Sequence, residues 1–175
     1  MRSVAIIVLS LVCLVAGCSH LKSMHEARGS NSNAAVAASP GALPSGRGTR
    51  EEAKAMLDKA VEHYGQVGRT QALADFNKMK SPFGDRDLYV FCLGSDHKIT
   101  ANGGFSQYVG MSVDVLKDAT GKSLGKQIID MAAQSSEGSI EYMWTNPVSH
   151  LTEHKIAFFK KVGEDVCGVG AYSAE

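Results

Sequence analysis

The sequence predicts an α+β domain, a mainly antiparallel sheet with its helices packed to one side and one end. Three observations carry this. Apolar residues recur with a helical period as far as Phe76 and Met79, and the period then changes to two at DLYVFCL, residues 87–93. The segments that follow read in the order strand, helix and three strands, which short antiparallel connections satisfy.

Each element has a local reason. Thr49-Arg50-Glu51-Glu52 is a capping box, in which the Thr49 hydroxyl and the Glu52 carboxylate satisfy free backbone N–H groups at a helix start. Ala53, Met56, Leu57, Ala60, Val61 and Tyr64 then form one helical face. Gly65 and Gly68 interrupt it, and a second helix with Ala72, Leu73, Phe76 and Met79 on one face runs to the Ser81-Pro82 stop. Residues 87–93 are apolar on both faces, as a central strand requires, and Gly94-Ser95-Asp96-His97 turns the chain into a partner strand at 98–101. Residues 102–121, with four glycines, read as a structured loop holding at most a short helix. Leu124, Ile128, Ile129 and Ala132 make a helix of 123–133 that Gly138 ends, and strands follow at 139–144, 155–161 and 165–172.

The chain begins MRSVAIIVLSLVCLVAGC, with one early arginine, an apolar run and small residues before a cysteine. Residues 1–17 are a secretory signal segment, shorter than the roughly 20 residues that span a bilayer. The Val15-Ala16-Gly17-Cys18 end resembles the bacterial lipobox, so Cys18 is the expected lipidation site, with plain cleavage to a free secreted protein as the alternative. Ser19, where an aspartate would retain such a protein at the inner membrane, points to the outer membrane. Residues 18–48, rich in Ser, Gly, Ala, Asn and Pro, form a flexible linker reaching roughly 30 Å, and residues 49–175 make one domain. Eighteen basic and 18 acidic residues cancel, and no Lys/Arg cluster interleaves with aromatics, so nucleic acid is not an expected partner.

Several motifs tempt a catalytic or metal reading. His150-x-x-Glu153-His154 matches a zinc signature that needs a helix, a third ligand and a closed outer shell. It lies within a short stretch flanked by strands, so the three residues are expected at a hairpin tip, with no metal. Thr120-Gly121-Lys122-Ser123 echoes the end of a phosphate loop, but its first glycine would fall on Leu116; a glycine turn with Ser123 capping the next helix fits better. Cys92 and His97 do not make a catalytic pair, because Cys92 sits inside an apolar run. No enzyme activity and no cofactor are expected. Cys92 and Cys167 form a disulfide or stay two small buried thiols; export and an even count favour the bond.

Alternation on 139–144 places Ile140, Tyr142 and Trp144 on one face. Two aromatics with polar tips, then Asn146-Pro147, with Lys155 opening the partner strand, could form one wall of a pocket for a small carboxylate. Equally, Tyr142 and Trp144 could be core and Lys155 a solvated edge lysine.

The segments DLYVFCLGSDHKITANGG, YVGMSVDVLKDATGKSLGKQIIDMA, EYMWTNP and HKIAFFKKVGEDVCGVGAY resemble, in order and spacing, the single Cache domains of bacterial sensors, type 2. The resemblance covers about residues 50–173. It implies a PAS-like five-stranded antiparallel sheet with N-terminal helices and one crossover helix, whose concave face holds a small organic acid. Tyr89, Phe91, Asn102, Tyr142, Trp144, Asn146 and Lys155 are the ligand-binding residues it implies, under a loop of 102–111. It also makes the strands of Cys92 and Cys167 neighbours, which strengthens the disulfide. Asn102 stands where the family commonly has His, Met111 where it has Lys, and Ser139 where it often has Trp. The resemblance implies an extracytoplasmic sensor-type binding domain, of the kind that usually sits in chemoreceptors and histidine kinases; here no output module is expected after it. It would act with a sensor kinase, chemoreceptor or transporter in the membrane, and could form a homodimer. The other function considered is an envelope interaction lipoprotein with a vestigial pocket.

Overall fold

The protein is described by a computed structural model covering residues 46–173. Residues 1–45, which include the expected signal segment, Cys18 and most of the expected linker, lie outside the described residues. Among the described residues are three α-helices and six strands. Helix α1 (Arg50–Val67) opens on the capping box at Thr49, with both reciprocal bonds formed. Gly68, at φ 79°, ends α1 and starts α2 in one step; most side chains avoid that left-handed backbone. Helix α2 (Arg69–Phe76) stops before Met79. The Asn77 side chain there accepts the backbone N–H of Asn102, tying the helix end to the sheet.

The strands are β1 (Gly84–Asp85), β2 (Leu88–Gly94), β3 (Ile99–Asn102), β4 (Glu137–Thr145), β5 (Thr152–Val162) and β6 (Asp165–Ser173). All pairings are antiparallel, in the order β1-β2-β6-β5-β4, with β3 also on β2. Five of these strands make the expected PAS-like sheet. The sixth, β1, is too short for any periodic signal. Helix α3 (Leu124–Gln134) crosses from the 103–123 loop, which contains two single 3-10 turns. Ser123 precedes α3 but its hydroxyl makes no capping bond; Asp118 instead accepts the N–H groups of Thr120 and Lys122 to shape the turn.

Helices cover both faces of the sheet rather than one side and one end. Helices α1 and α2 pack on Leu88, Val90, Cys92, Cys167, Val169 and Ala171. Helix α3 and the loop pack on Phe91, Leu93, Ile140, Tyr142, Ala157, Phe159 and Val166. The reason lies in β2, buried at every position, whose two alternating apolar sets each need a cover. Cys92 and Cys167 are direct partners in the β2–β6 register and are joined by a disulfide on the α1 side. No described helix is long and apolar enough to cross a membrane.

Strand β6 is thinned where the opposite face needs room. A methyl group on Gly168 would lie 2.5 Å from the Phe91 ring and 2.8 Å from the Phe158 carbonyl oxygen. Because a backbone atom cannot yield as a side chain can, Gly168→Ala is expected to lose about 1–3 kcal/mol. A lowered urea midpoint at unchanged slope would show it; an unchanged midpoint would refute the close packing.

Candidate ligand site

Strand register builds the site. Tyr142, Lys155 and Tyr172 are successive partners across β4, β5 and β6, so their side chains share one sheet face. Alternation from Val90, paired with Val169, puts Tyr89 and Phe91 on that face too. Gly170 leaves a trough on β6: a Cβ there would sit 2.3 Å from Lys155 Cε, so the lysine chain lies across the glycine.

Tyr89, Phe91, Asn102, Tyr142 and Trp144 meet around a cavity of about 20 Å³, completed by Leu116, Leu124 and Ile128 from the loop and α3. This is room for one water molecule. A second groove of about 200 Å³ lies on the outer side of Trp144, against Phe105, Tyr108 and Asp118. Trp144 borders both spaces and is packed edge-on against Phe105 and Tyr142, with ring centres 6.1 Å away in each case. The Asn102 carboxamide oxygen accepts the N–H of Phe105, which holds the loop over the cavity.

Lys155 is not on the cavity wall. It is completely buried behind Tyr89, with Nζ 3.9 Å from the centre of that ring and 4.4 Å from that of Tyr172. Its hydrogen bond is donated to Tyr172 Oη at 3.2 Å, and that hydroxyl donates onward to the Thr145 carbonyl. Burial pushes the Lys155 ammonium well below the ordinary lysine range, and the charge of Asp87 opposes the shift. Burial likewise raises Tyr89, Tyr142 and Tyr172, leaving three neutral phenols around the amine. The solvated edge lysine considered from the sequence is therefore not what β5 presents.

Asn146 does not join the pocket, in correction of its expected place. The chain turns after Thr145, and the Asn146 carboxamide instead donates to Asp87 at 3.1 Å and to Glu153 at 3.0 Å. Asp87 also accepts the backbone N–H of Gly48 at 2.7 Å, and Glu153 is held by Ser149 and by both guanidinium nitrogens of Arg47. Among the described residues, contacts with the domain thus extend back to Arg47, two residues ahead of the capping box. Glu153 is buried and does not decorate a hairpin tip, whereas His150 is exposed at the tip with φ 60°. The His150–His154 segment is turn and strand, so the histidines lack the helical spacing that the zinc signature requires.

This polar knot stands one strand step from the pocket: Asp87 precedes Tyr89 by two residues, Asn146 follows Trp144 by two, and Glu153 precedes Lys155 by two. Arg47, first among its causes, holds the Glu153 carboxyl below the usual carboxylate range. A folded-state value below the unfolded one contributes stability above the unfolded glutamate range, and this is lost as pH falls through the folded value. Arg47→Ala is expected to cost about 2 kcal/mol at neutral pH and much less in acid, where Glu153 is protonated in both proteins. Urea unfolding at both pH values checks this; an equal cost in acid would assign it to packing.

Sequence reasoning did not assign Asp87, Arg47, Phe105, Tyr108 or Tyr172. Asp87 had a signal, a charge opening a strand apolar on both faces, and Tyr172 had alternation on β6. For Arg47, inside a linker-like composition, there was none.

The model of the family "Single Cache domain 2" matches residues 37–173. The chain belongs to that family. Its fold is also that of solved structures at low identity. A methyl-accepting chemotaxis protein from Vibrio parahaemolyticus matches with TM-score 0.58 and 19% identity, over 70% of this chain and 86% of that one. A structure described as the periplasmic sensor domain of a chemotaxis protein matches with TM-score 0.54 and 17% identity, over 71% and 90%. A third, described as the structural basis for carboxylic acid recognition by a Cache chemosensory domain, has TM-score 0.54 and 14% identity, over 71% and 88%. No curated protein matches by sequence. Cache domains are extracytoplasmic sensor domains. In this Cache domain the matched region starts ten residues before Arg47, inside the segment read as linker from composition.

Proposed function

We propose that this Cache domain is an extracytoplasmic receptor for a small organic acid, with Lys155 as the group that recognises the carboxylate. One observation carries the reading: a fully buried lysine, with a single side-chain hydrogen bond among the described residues, lies behind Tyr89, whose ring separates it from a small, mostly apolar cavity. Such an ammonium is best compensated by an anion that brings two oxygens. The acid recognised by one of the structural neighbours agrees with this chemistry.

A cavity of about 20 Å³ admits no organic acid as it stands. Binding therefore requires Tyr89 and Trp144 to move, and the groove on the far side of Trp144 offers the indole space. Tyr89, Phe91, Asn102, Tyr142 and Trp144 would enclose the carbon chain. Asn146, with Asp87 and Glu153, would position the strands and stay off the ligand. In this reading Cys18 carries the lipid, residues 18–46 tether the domain, and binding is relayed to a separate membrane signalling or transport partner.

The test is a thermal-shift screen of the mature chain against short mono- and dicarboxylates. A binding acid at a hundredfold excess over Kd adds about 2.7 kcal/mol of stability. No rise in Tm with any acid, with the disulfide intact, would end the reading. The small cavity favours a second function, an envelope interaction protein with a vestigial pocket. Copurification of a membrane partner that Trp144→Ala leaves unchanged would select it.

A further inference from the structure

Lys155 raises a question of charge, because the groups facing its amine can be named element by element. From β6 come the Tyr172 hydroxyl at 3.2 Å and ring; from β2, the Tyr89 ring face. Tyr142 is the register partner on β4. On β5 itself Glu153 shares the face but is occupied by Arg47, Asn146 and Ser149. Asp87, just ahead of β2, is the carboxylate whose field reaches the amine, and its two oxygens are engaged by Gly48 and Asn146. The covering loop and α3 bring Leu116, Leu124 and Ile128, which carry no charge.

An ammonium presents three N–H donors and loses its hydration when enclosed. Here one hydroxyl and two ring faces replace part of that hydration, and no carboxylate lies within ion-pair distance of Lys155 among the described residues. The Tyr172 hydroxyl spends its own proton on the Thr145 carbonyl, so it can only accept from Nζ. That arrangement suits a neutral amine with one N–H committed to Tyr172.

We propose that Lys155 is uncharged while no anion is bound and takes up one proton together with the acid it recognises, so that carboxylate capture is proton-linked. The inference deepens the organic-acid reading and rests on it. The balance is simple: a proton from solvent, or from the undissociated acid itself, forms the third N–H bond on Nζ. The incoming carboxylate supplies the counter-charge, and nothing is oxidised or reduced. Above the titration point of Lys155 without ligand, affinity for the anion falls about tenfold per pH unit; below it, affinity is flat. The domain then reports the acid together with its proton. Asp87 is a positioning residue here, because its charge sets how readily Nζ accepts the proton: Asp87→Asn moves the onset of the fall to lower pH.

The experiment uses the mature chain with ¹³Cε-labelled lysine, the Lys155 resonance being assigned by its loss in Lys155→Met, or in Lys155→Arg should the first variant fail to fold. Acetate, propionate, lactate and succinate are added in turn, and binding heats are measured in two buffers of different ionisation enthalpy from pH 5 to 9. The expected result is a Lys155 that titrates at lower pH than the exposed lysines. It moves up towards them with a bound acid, with uptake of about one proton per acid at alkaline pH. A Lys155 that titrates with the exposed lysines in the absence of acid overturns the proposal. Binding with equal heats in both buffers overturns it while leaving the organic-acid reading intact. No binding of any of the four acids at any pH removes both.

Discussion

Removing the Cys92–Cys167 disulfide, as the double alanine variant, is expected to cost this domain about 4 kcal/mol. The bond closes a loop with a sequence separation of 75, and in the chain-entropy account a loop of that length restricts the unfolded chain by about this much. Single domains have only about 5–15 kcal/mol in total, so the variant should approach the unfolding threshold at physiological temperature. The effect reaches the site, because β2 carries Cys92 on one face and Tyr89 and Phe91 on the other. Loosening β2 from β6 therefore loosens the stack over Lys155. Urea unfolding of the oxidised protein and the variant gives the difference directly. A loss below about 1 kcal/mol would mean that the disulfide follows the fold rather than supports it.

Lys155→Met is expected to act in opposite directions on stability and function. Methionine has nearly the volume of the lysine stem and no charge to bury, so the ligand-free domain should gain about 1–3 kcal/mol near neutral pH. The same variant should show no rise in Tm with any organic acid. The sign of the pH dependence follows from the depressed lysine. Between its folded and unfolded values the native state binds fewer protons than the unfolded chain, so wild-type stability rises with pH through that window. The advantage of Lys155→Met should therefore shrink as pH approaches about 10.4, the unperturbed lysine value. A variant less stable than wild type at every pH would show that the amine, through Tyr172 and the ring faces, is a net support of the sheet.

Much of the fold was legible because it is local. The capping box at Thr49, the change of period at residue 87 and the apolar face of the helix at 124–134 depend on residues within a few positions of one another, and each lies close to where it was expected, although Ser135 rather than Gly138 ends that helix and Gly138 lies in β4. The sequential order of elements followed from the same signals. What escaped had no local pattern: β1 is two residues long, and the covering of both sheet faces depends on which segment returns over which strand.

The candidate site divides the same way. Alternation put Tyr142 and Trp144 on one face, and register across three strands then aligned Tyr142, Lys155 and Tyr172. Asn146 and Glu153 were misplaced because a hairpin turn breaks alternation, and because their partners, Arg47 and Asp87, are distant along the chain. For the described domain, the sequence by itself determined where the longer helices and strands form, which cysteines could pair and which aromatics share a strand face, since these follow from backbone preference and period. Only the tertiary structure decided that Lys155 is buried rather than solvated, that Glu153 is a buried anchor, and that Trp144 separates a cavity from a groove. Burial and charge pairing are set by what packs from elsewhere in the chain, and neither has a signature in the residues alongside.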